Sequence, residues 1–216
     1  MTKRTFDQYC PIARALEIVG QRWSLLIVRE LVLGPKRYTD LRRALPGMWT
    51  NLLAERLREL EEAGVIRRSE LPPPAARTVY ELTDRGRELQ DVLLALGRWG
   101  IDLLPRRRGD GAPTSSAVLV GLWAFFQADA SSEIDEVYGL EIGEENLTAI
   151  VRRGRLELLP GTAFSAPAAV LRAHPSALLD LRLGRLDLAK AIATARVSFQ
   201  GKKAAVARLR RVFALT

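Results

Sequence analysis

The sequence predicts an α+β fold in two segments, and three observations carry that expectation. Residues 105–116 combine two prolines, two glycines and three successive arginines, which is turn and linker chemistry. Before them, apolar residues recur at helical spacing and then give way to two short β-forming runs. After them, five short β-like runs interleave with helical ones, the pattern of one small sheet with helices over its apolar face. The expected divisions are therefore 1–104, a linker at 105–116, and 117–216.

In the first segment, Ile12, Leu16 and Val19 mark a helix over 11–19. A second helix is expected over 22–33 with Leu26, Ile27, Leu31 and Val32 inward, ended by Gly34-Pro35. Thr39 is placed to cap a short helix through Leu45, which Pro46-Gly47 terminates. A longer helix opens near Thr50, with Leu53, Leu57 and Leu60 on one face and Gly64 as its stop. The runs 65–71 and 78–82 read as a hairpin with a stiff, proline-rich tip. Thr83 then caps a helix reaching about Leu104. Along it Leu89, Val92, Leu96, Trp99 and Leu103 are spaced 3, 4, 3 and 4, a heptad seam. Leu93, Leu94, Ile101 and Leu104 widen that stripe beyond what one small domain covers, which points to a homodimer seam.

Composition removes several classes. With 216 residues, 48% hydrophobic and 27% charged, the chain is an ordinary globular one, not disordered, collagenous or a coiled-coil fibre. The apolar run 117–126 is far short of the roughly 20 residues that span a bilayer, so no membrane insertion is expected. Residues 1–7 lack the apolar core of a signal peptide, and a cytoplasmic location is expected. One cysteine excludes an internal disulfide, and with one histidine it excludes the usual zinc sites. No cofactor is expected. The net charge of +8 favours an anionic partner. Its division, +5 before the break and +3 after, is too even to identify that partner.

Three helices followed by a two-stranded hairpin is the order of a winged helix-turn-helix, a reader of double-stranded DNA. The helix from Thr50 would lie in the major groove with its first residues at base edges. Its leucines must face the core, which leaves Thr50, Asn51, Glu55 and Arg58 outward and Arg56 near the edge. The helix from Thr39, with Arg37, Arg42 and Arg43 around it, would cross the phosphate backbone, and Arg77 stands beside the wing tip.

The residues 10–23 (Cys-Pro-Ile-Ala-Arg-Ala-Leu-Glu-Ile-Val-Gly-Gln-Arg-Trp) resemble the opening signature of HxlR-type, MarR-like regulators. Residues 37–42, 52–64 and 80–86 resemble that family's later blocks in the same order, so the resemblance covers about residues 7–104. It implies a homodimeric, operator-binding transcriptional regulator with a long dimerisation helix. Where that family commonly has a small residue, often Ser, this chain has Trp49, which would pack on a sugar or stay in the core. Two readings of Cys10 stay open: a thiolate sensor of oxidants, as in some members of the family, or a small buried hydrophobe.

In the second segment an apolar helix is expected over 116–128. The β-like runs are 137–142, 147–152, 156–159, 170–173 and 197–200, and helices are expected over 176–183, 187–194 and about 203–213. Residues 175–191 and 196–201 resemble the sterol-carrier-protein type of lipid-binding domain, a five-stranded sheet with helices enclosing an apolar tunnel. That family usually has Gly where Ala195 stands and Asp where Lys202 stands. The resemblance implies a fatty-acyl or similar apolar ligand, for which Leu122, Trp123, Phe126, Leu140, Leu178, Leu181 and Phe199 are the candidate lining. The same residues would equally fill a closed core. His174 reads as a strand-end or capping residue without a Ser, Cys or carboxylate partner for nucleophilic catalysis. The pairs Glu144-Glu145 and Asp135-Glu136 read as solvated loop charges, and no enzymatic activity is expected. The competing class is a lipid carrier whose helix-turn-helix serves assembly. A regulator without an effector, whose second domain only dimerises, is the third.

Overall fold

A computed structural model describes residues 5–71, 77–105, 111–162 and 166–215. The chain packs as two compact units, one ending at Leu93 and the other beginning at Leu94.

The first unit starts with α1 (Pro11–Val19), whose first residue is a proline, free of the amide that a helix start leaves unpaired. α2 (Ser24–Leu31) follows Trp23, which adopts the left-handed φ of 81°. Leu26 was expected inward but is exposed, because Ile27, Val28 and Leu31 form the buried stripe and Leu26 lies off it. α3 (Tyr38–Ala44) begins before Thr39 and is capped at Arg37, whose amide donates to Asp40 Oδ2 at 3.3 Å. Thr39 is thus inside the first turn rather than its cap. α4 (Thr50–Glu62) ends before Gly64, as its leucine spacing and stop predict. The hairpin is β1 (Ile66–Glu70) antiparallel to β2 (Thr78–Leu82), and its proline-rich tip at 72–76 lies outside the described residues. Thr83 caps the next turn by accepting from the Gly86 amide. The single helix expected from there is divided into α5 (Asp84–Arg87) and α6 (Leu89–Gly100), then a 3-10 turn, Ile101–Leu103. Gly86, a weak helix former, weakens the first turn, and tightening to 3-10 is common at a helix end. The unit's core joins Ile27, Val28 and Leu31 to Leu41, Leu45, Leu53, Leu57 and Leu60, closed by Val65, Ile66 and Leu82 of the hairpin region.

The second unit contains the last part of α6 and then α7 (Ser115–Ala124), capped by the Thr114 hydroxyl, which accepts from the Ala117 amide. α7 stops at Phe125 instead of reaching residue 128, and a 3-10 turn (Asp129–Ser131) follows. Five strands then form one sheet: β3 (Asp135–Ile142), β4 (Glu145–Arg152), β5 (Arg155–Pro160), β6 (Ala169–Ala173) and β7 (Val197–Gly201). Their order is β5-β4-β3-β6-β7, with β3 and β6 parallel and the other neighbours antiparallel. The connection between β6 and β7 carries α8 (Pro175–Arg182) and α9 (Leu188–Ala193), and α10 (Lys203–Val212) returns against β6 and β7. Period-two alternation puts Leu147, Leu140, Leu171 and Phe199 in one row across four strands, on one face of the sheet.

Candidate nucleic-acid interface

The site is built on α4. Leu53, Leu57 and Leu60 are each 1% exposed, so one face of the helix is fixed in the core. The 3.6-residue period then leaves Asn51 and Arg58 exposed on the opposite side, while Thr50, nearer the leucine stripe, is exposed as the first residue of the helix. The turn before α4 needs Gly47 at φ 84°, a conformation that side chains with a Cβ rarely adopt. Tyr38 carries no functional signal in the sequence, yet its hydroxyl donates to the Thr50 carbonyl at 2.9 Å and ties the start of α3 to the start of α4. No spacing rule would have shown that bond; it depends on the angle between the two helices.

The residues expected to meet phosphates are mostly at the surface. Thr39, Arg42, Arg43 and Arg77 are exposed, and Arg37 is half-buried at the cap of α3. The Arg77 carbonyl accepts from the Leu71 amide, extending the pairing of β1 and β2 toward the tip. The two arginines of α4 differ. Arg58 is exposed and pairs with Glu62 one turn on. Arg56 pairs with Glu59, its side chain is largely covered, and its Nε has no hydrogen-bond partner. Trp49 stands clear of the core, next to the first residue of α4. In the same unit, Glu30 of α2 is fully buried and accepts from Arg29 Nε at 3.0 Å, with Lys36 Nζ 3.8 Å from its other oxygen.

The heptad seam lies outward. Val92, Leu96, Trp99 and Leu103 are exposed and Leu89 is half-buried, while Leu93 and Leu94 turn inward. Phe6, Tyr9, Ile12 and Leu16 add a second exposed apolar stripe along and just before α1. Cys10 is half-buried and precedes α1 with extended backbone. Arg14, one turn on, is paired with Glu17.

In the second unit, Leu140 and Leu178 are buried to 2% exposure or less and Leu122 is buried on α7. Trp123, Phe126, Leu181 and Phe199 are half-buried, and the Phe126 and Phe213 rings lie 6.0 Å apart. His174 caps α8: its Nδ1 accepts from the Ser176 amide at 3.3 Å. The structure also brings Ser176 Oγ within 2.7 Å of that nitrogen, a partner the sequence reading had not provided. Ser176 is buried and its Oγ accepts from Arg196 at 2.9 Å, so the pair fastens the helix start to the loop before β7. Glu136 is not a solvated loop charge either. It lies in β3, where Arg208 of α10 grips both its oxygens and the buried Tyr138 hydroxyl donates to it. The Arg208 guanidinium holds the Glu136 carboxyl below the usual carboxylate range. Burial, and then the hydrogen bond to the Glu136 carboxylate, push the Tyr138 hydroxyl up. Among the described residues no cluster of three or more His, Cys, Asp or Glu is placed to hold a metal, and no helix is long and apolar enough to cross a membrane.

A helix anchored by leucines behind an outward polar face, preceded by a short positioning helix and followed by a β-wing, defines a winged helix-turn-helix protein. Comparison with known proteins narrows the class. Residues 18–108 match the HxlR-like helix-turn-helix family and residues 127–214 match the SCP-2 sterol transfer family. The HTH-type transcriptional regulator sll1512 of Synechocystis is 44% identical over 95 residues, which cover 44% of this chain and 70% of that one. YvaP of Bacillus subtilis is 36% identical over 97 residues, covering 44% of this chain and 90% of its own. Among solved structures, quinone-bound YodB from B. subtilis is 33% identical, covering 44% of this chain and all of its own, with a TM-score of 0.38. The chain belongs to the HxlR-like helix-turn-helix family of transcriptional regulators, with an SCP-2-like domain following the helix-turn-helix one.

Proposed function

We propose that the protein is a cytoplasmic homodimer that binds a two-fold operator through α4 and that an apolar ligand in its second unit modulates that binding. The observation that carries the reading is the division of α4 into a buried leucine face and an exposed Asn51 and Arg58 face, with Thr50 exposed at the helix start. Asn51 suits adenine and Arg58 suits guanine, each good bidentate pair contributing ~1–3 kcal/mol of discrimination. Arg58 can exchange Glu62 for a base at small cost, since exposed pairs of this spacing are worth ~0.3–0.5 kcal/mol. Arg56, held by Glu59, supports the helix edge and reaches DNA only by leaving that pair. Arg37, Arg42, Arg43 and Arg77 set the register on the phosphates. The exposed stripes on α1 and α6 support the dimer, and the SCP-2 match supports a fatty-acyl or similar ligand.

A gel shift over a salt series tests the reading. If those four arginines each neutralise one phosphate in both protomers, log affinity falls with log salt at a slope of about −7. Arg42→Ala lowers affinity on all sequences and reduces the slope by about 2, one contact per protomer. A protein that carries apolar ligand yet shows no salt-dependent DNA binding refutes the regulator reading. Native mass spectrometry of the purified protein tests the ligand, with co-purified lipid as the expected result.

A further inference from the structure

The turn between α3 and α4 holds a side chain that packing does not explain. Met48 turns into the core, and Trp49, the next residue in an extended backbone (φ −74°, ψ 144°), points the other way. Trp49 is 82% exposed. A tryptophan offers roughly 150–250 Å² of surface for burial, and here nearly all of it is left in water. Among the described residues no aromatic ring or guanidinium stacks on it. Its neighbours along the chain are polar or cationic: exposed Thr50 and Asn51 follow it, and exposed Arg42 and Arg43 lie on the helix before it. Such neighbours suit a polyanion rather than an apolar protein surface. The Tyr38 bond to the Thr50 carbonyl and the buried Met48 hold the backbone on both sides of the ring, so its position is set before any partner arrives.

Residues at the start of a recognition helix meet base edges, and the one apolar group on a major-groove base edge is the 5-methyl of thymine. We propose that Trp49 is a specificity-determining residue whose indole packs on a thymine methyl in each operator half-site. The assignment rests on α4 being the major-groove reader. It places sequence discrimination on a residue outside α4, beside the polar contacts of Thr50 and Asn51.

The test uses the full-length protein and a duplex that the wild type selects from a random-sequence pool. Each thymine is replaced in turn, symmetrically in both half-sites, by deoxyuridine, which removes only the methyl group. Fluorescence anisotropy at fixed salt then compares the wild type with Trp49→Ala and Trp49→Phe. At one thymine position the wild type is expected to lose about 4-fold per half-site, roughly 15-fold for both, the scale of one buried methyl group each. Trp49→Ala is expected to bind the thymine duplex at least that much more weakly, to be indifferent to uracil at that position alone, and to keep the wild-type salt slope. Trp49→Phe retains part of the discrimination. Because the ring lies outside the core, both variants should melt like the wild type. Trp49→Ala binding within 2-fold of wild type, or keeping the full uracil effect at every thymine, overturns the assignment while leaving the operator reading intact. A wild type that selects no sequence overturns the operator reading, and this proposal with it.

Discussion

Under the proposed homodimer, replacing Trp99 with alanine measures how much α6 contributes to pairing with a second copy. Trp99 is 71% exposed, so about 180 Å² of a side chain offering up to ~250 Å² faces water. At ~25 cal/mol/Å², burying it is worth about 4 kcal/mol per protomer, and a two-fold axis counts the residue twice. Partial burial and the ordering of the side chain reduce that figure. If half is realised, the variant loses about 4 kcal/mol per dimer, or ~1,000-fold in the dissociation constant, at 1.4 kcal/mol per tenfold. Sedimentation velocity over a dilution series reads the change directly. The wild type should sediment at twice its 24.0 kDa chain mass, and Trp99→Ala should dissociate at concentrations where the wild type does not. Circular dichroism should be unchanged, because the exposed ring supports neither unit's core. A wild type that stays at 24.0 kDa throughout, or a variant with an unchanged dissociation constant, refutes the reasoning.

Two further perturbations address the second unit. Glu136→Gln removes the charge that Arg208 and Tyr138 hold, and should cost ~1–2 kcal/mol at neutral pH, discounted because Arg208 is partly exposed. Since the folded state depresses the Glu136 carboxyl, its contribution is present above the ordinary value of 4.5 and is lost as pH falls through the lower folded value. Urea midpoints from neutral pH to about pH 3 should therefore fall more steeply for the wild type than for the variant, and parallel curves would exclude the clamp. Ala195 adopts φ 54°, where a Cβ costs roughly 1–2 kcal/mol. Ala195→Gly should stabilise the unit by ~0.5–1 kcal/mol after the glycine's larger unfolded-state entropy is subtracted, and an unchanged or lower melting temperature would contradict that account.

The elements that were legible in the sequence are those whose periodicity follows from burial. The α4 leucines and the alternating runs of β3 to β7 each face one core, and the resulting boundaries agree with the structure to within about two residues. The apolar seam of α6 was legible for the same reason, and its exposure follows from Leu93 and Leu94 serving the core instead. What escaped depends on contacts between distant elements. Arg208 and Glu136 lie far apart in the chain and meet because α10 returns over the sheet, so Glu136 looked like one of several surface carboxylates. Tyr38 carried no signal of its bond to Thr50, and Ser176 none of its bond to Arg196. Ala195 stands where the lipid-binding family usually has glycine, and its left-handed φ supplies the physical reason for that glycine. Thr39 misled because a threonine before a helical run is a good cap in general, and here the backbone turned two residues earlier.

The packing of α4 constrains how an effector can act under the proposed function. Withdrawing the helix from its unit would expose Leu53, Leu57 and Leu60, each ~1.5–3 kcal/mol when fully buried, and would break the Tyr38 bond as well. Allosteric coupling energies are typically ~1–3 kcal/mol, so a ligand binding elsewhere lacks the free energy to unseat α4. It can shift only a softer coordinate, one in which each leucine cluster moves as a rigid body with its helix. In a dimer that coordinate is the separation of the two α4 helices, which must match one helical turn of DNA at about 34–36 Å. A change of a few ångströms there leaves each half-site contact chemically intact yet prevents both from forming together. Effector and operator should therefore compete through the dimer geometry. Apolar ligand would weaken binding to a full operator while leaving the much weaker affinity for an isolated half-site unchanged, and equal weakening on both duplexes would show that the ligand acts inside the recognition unit after all.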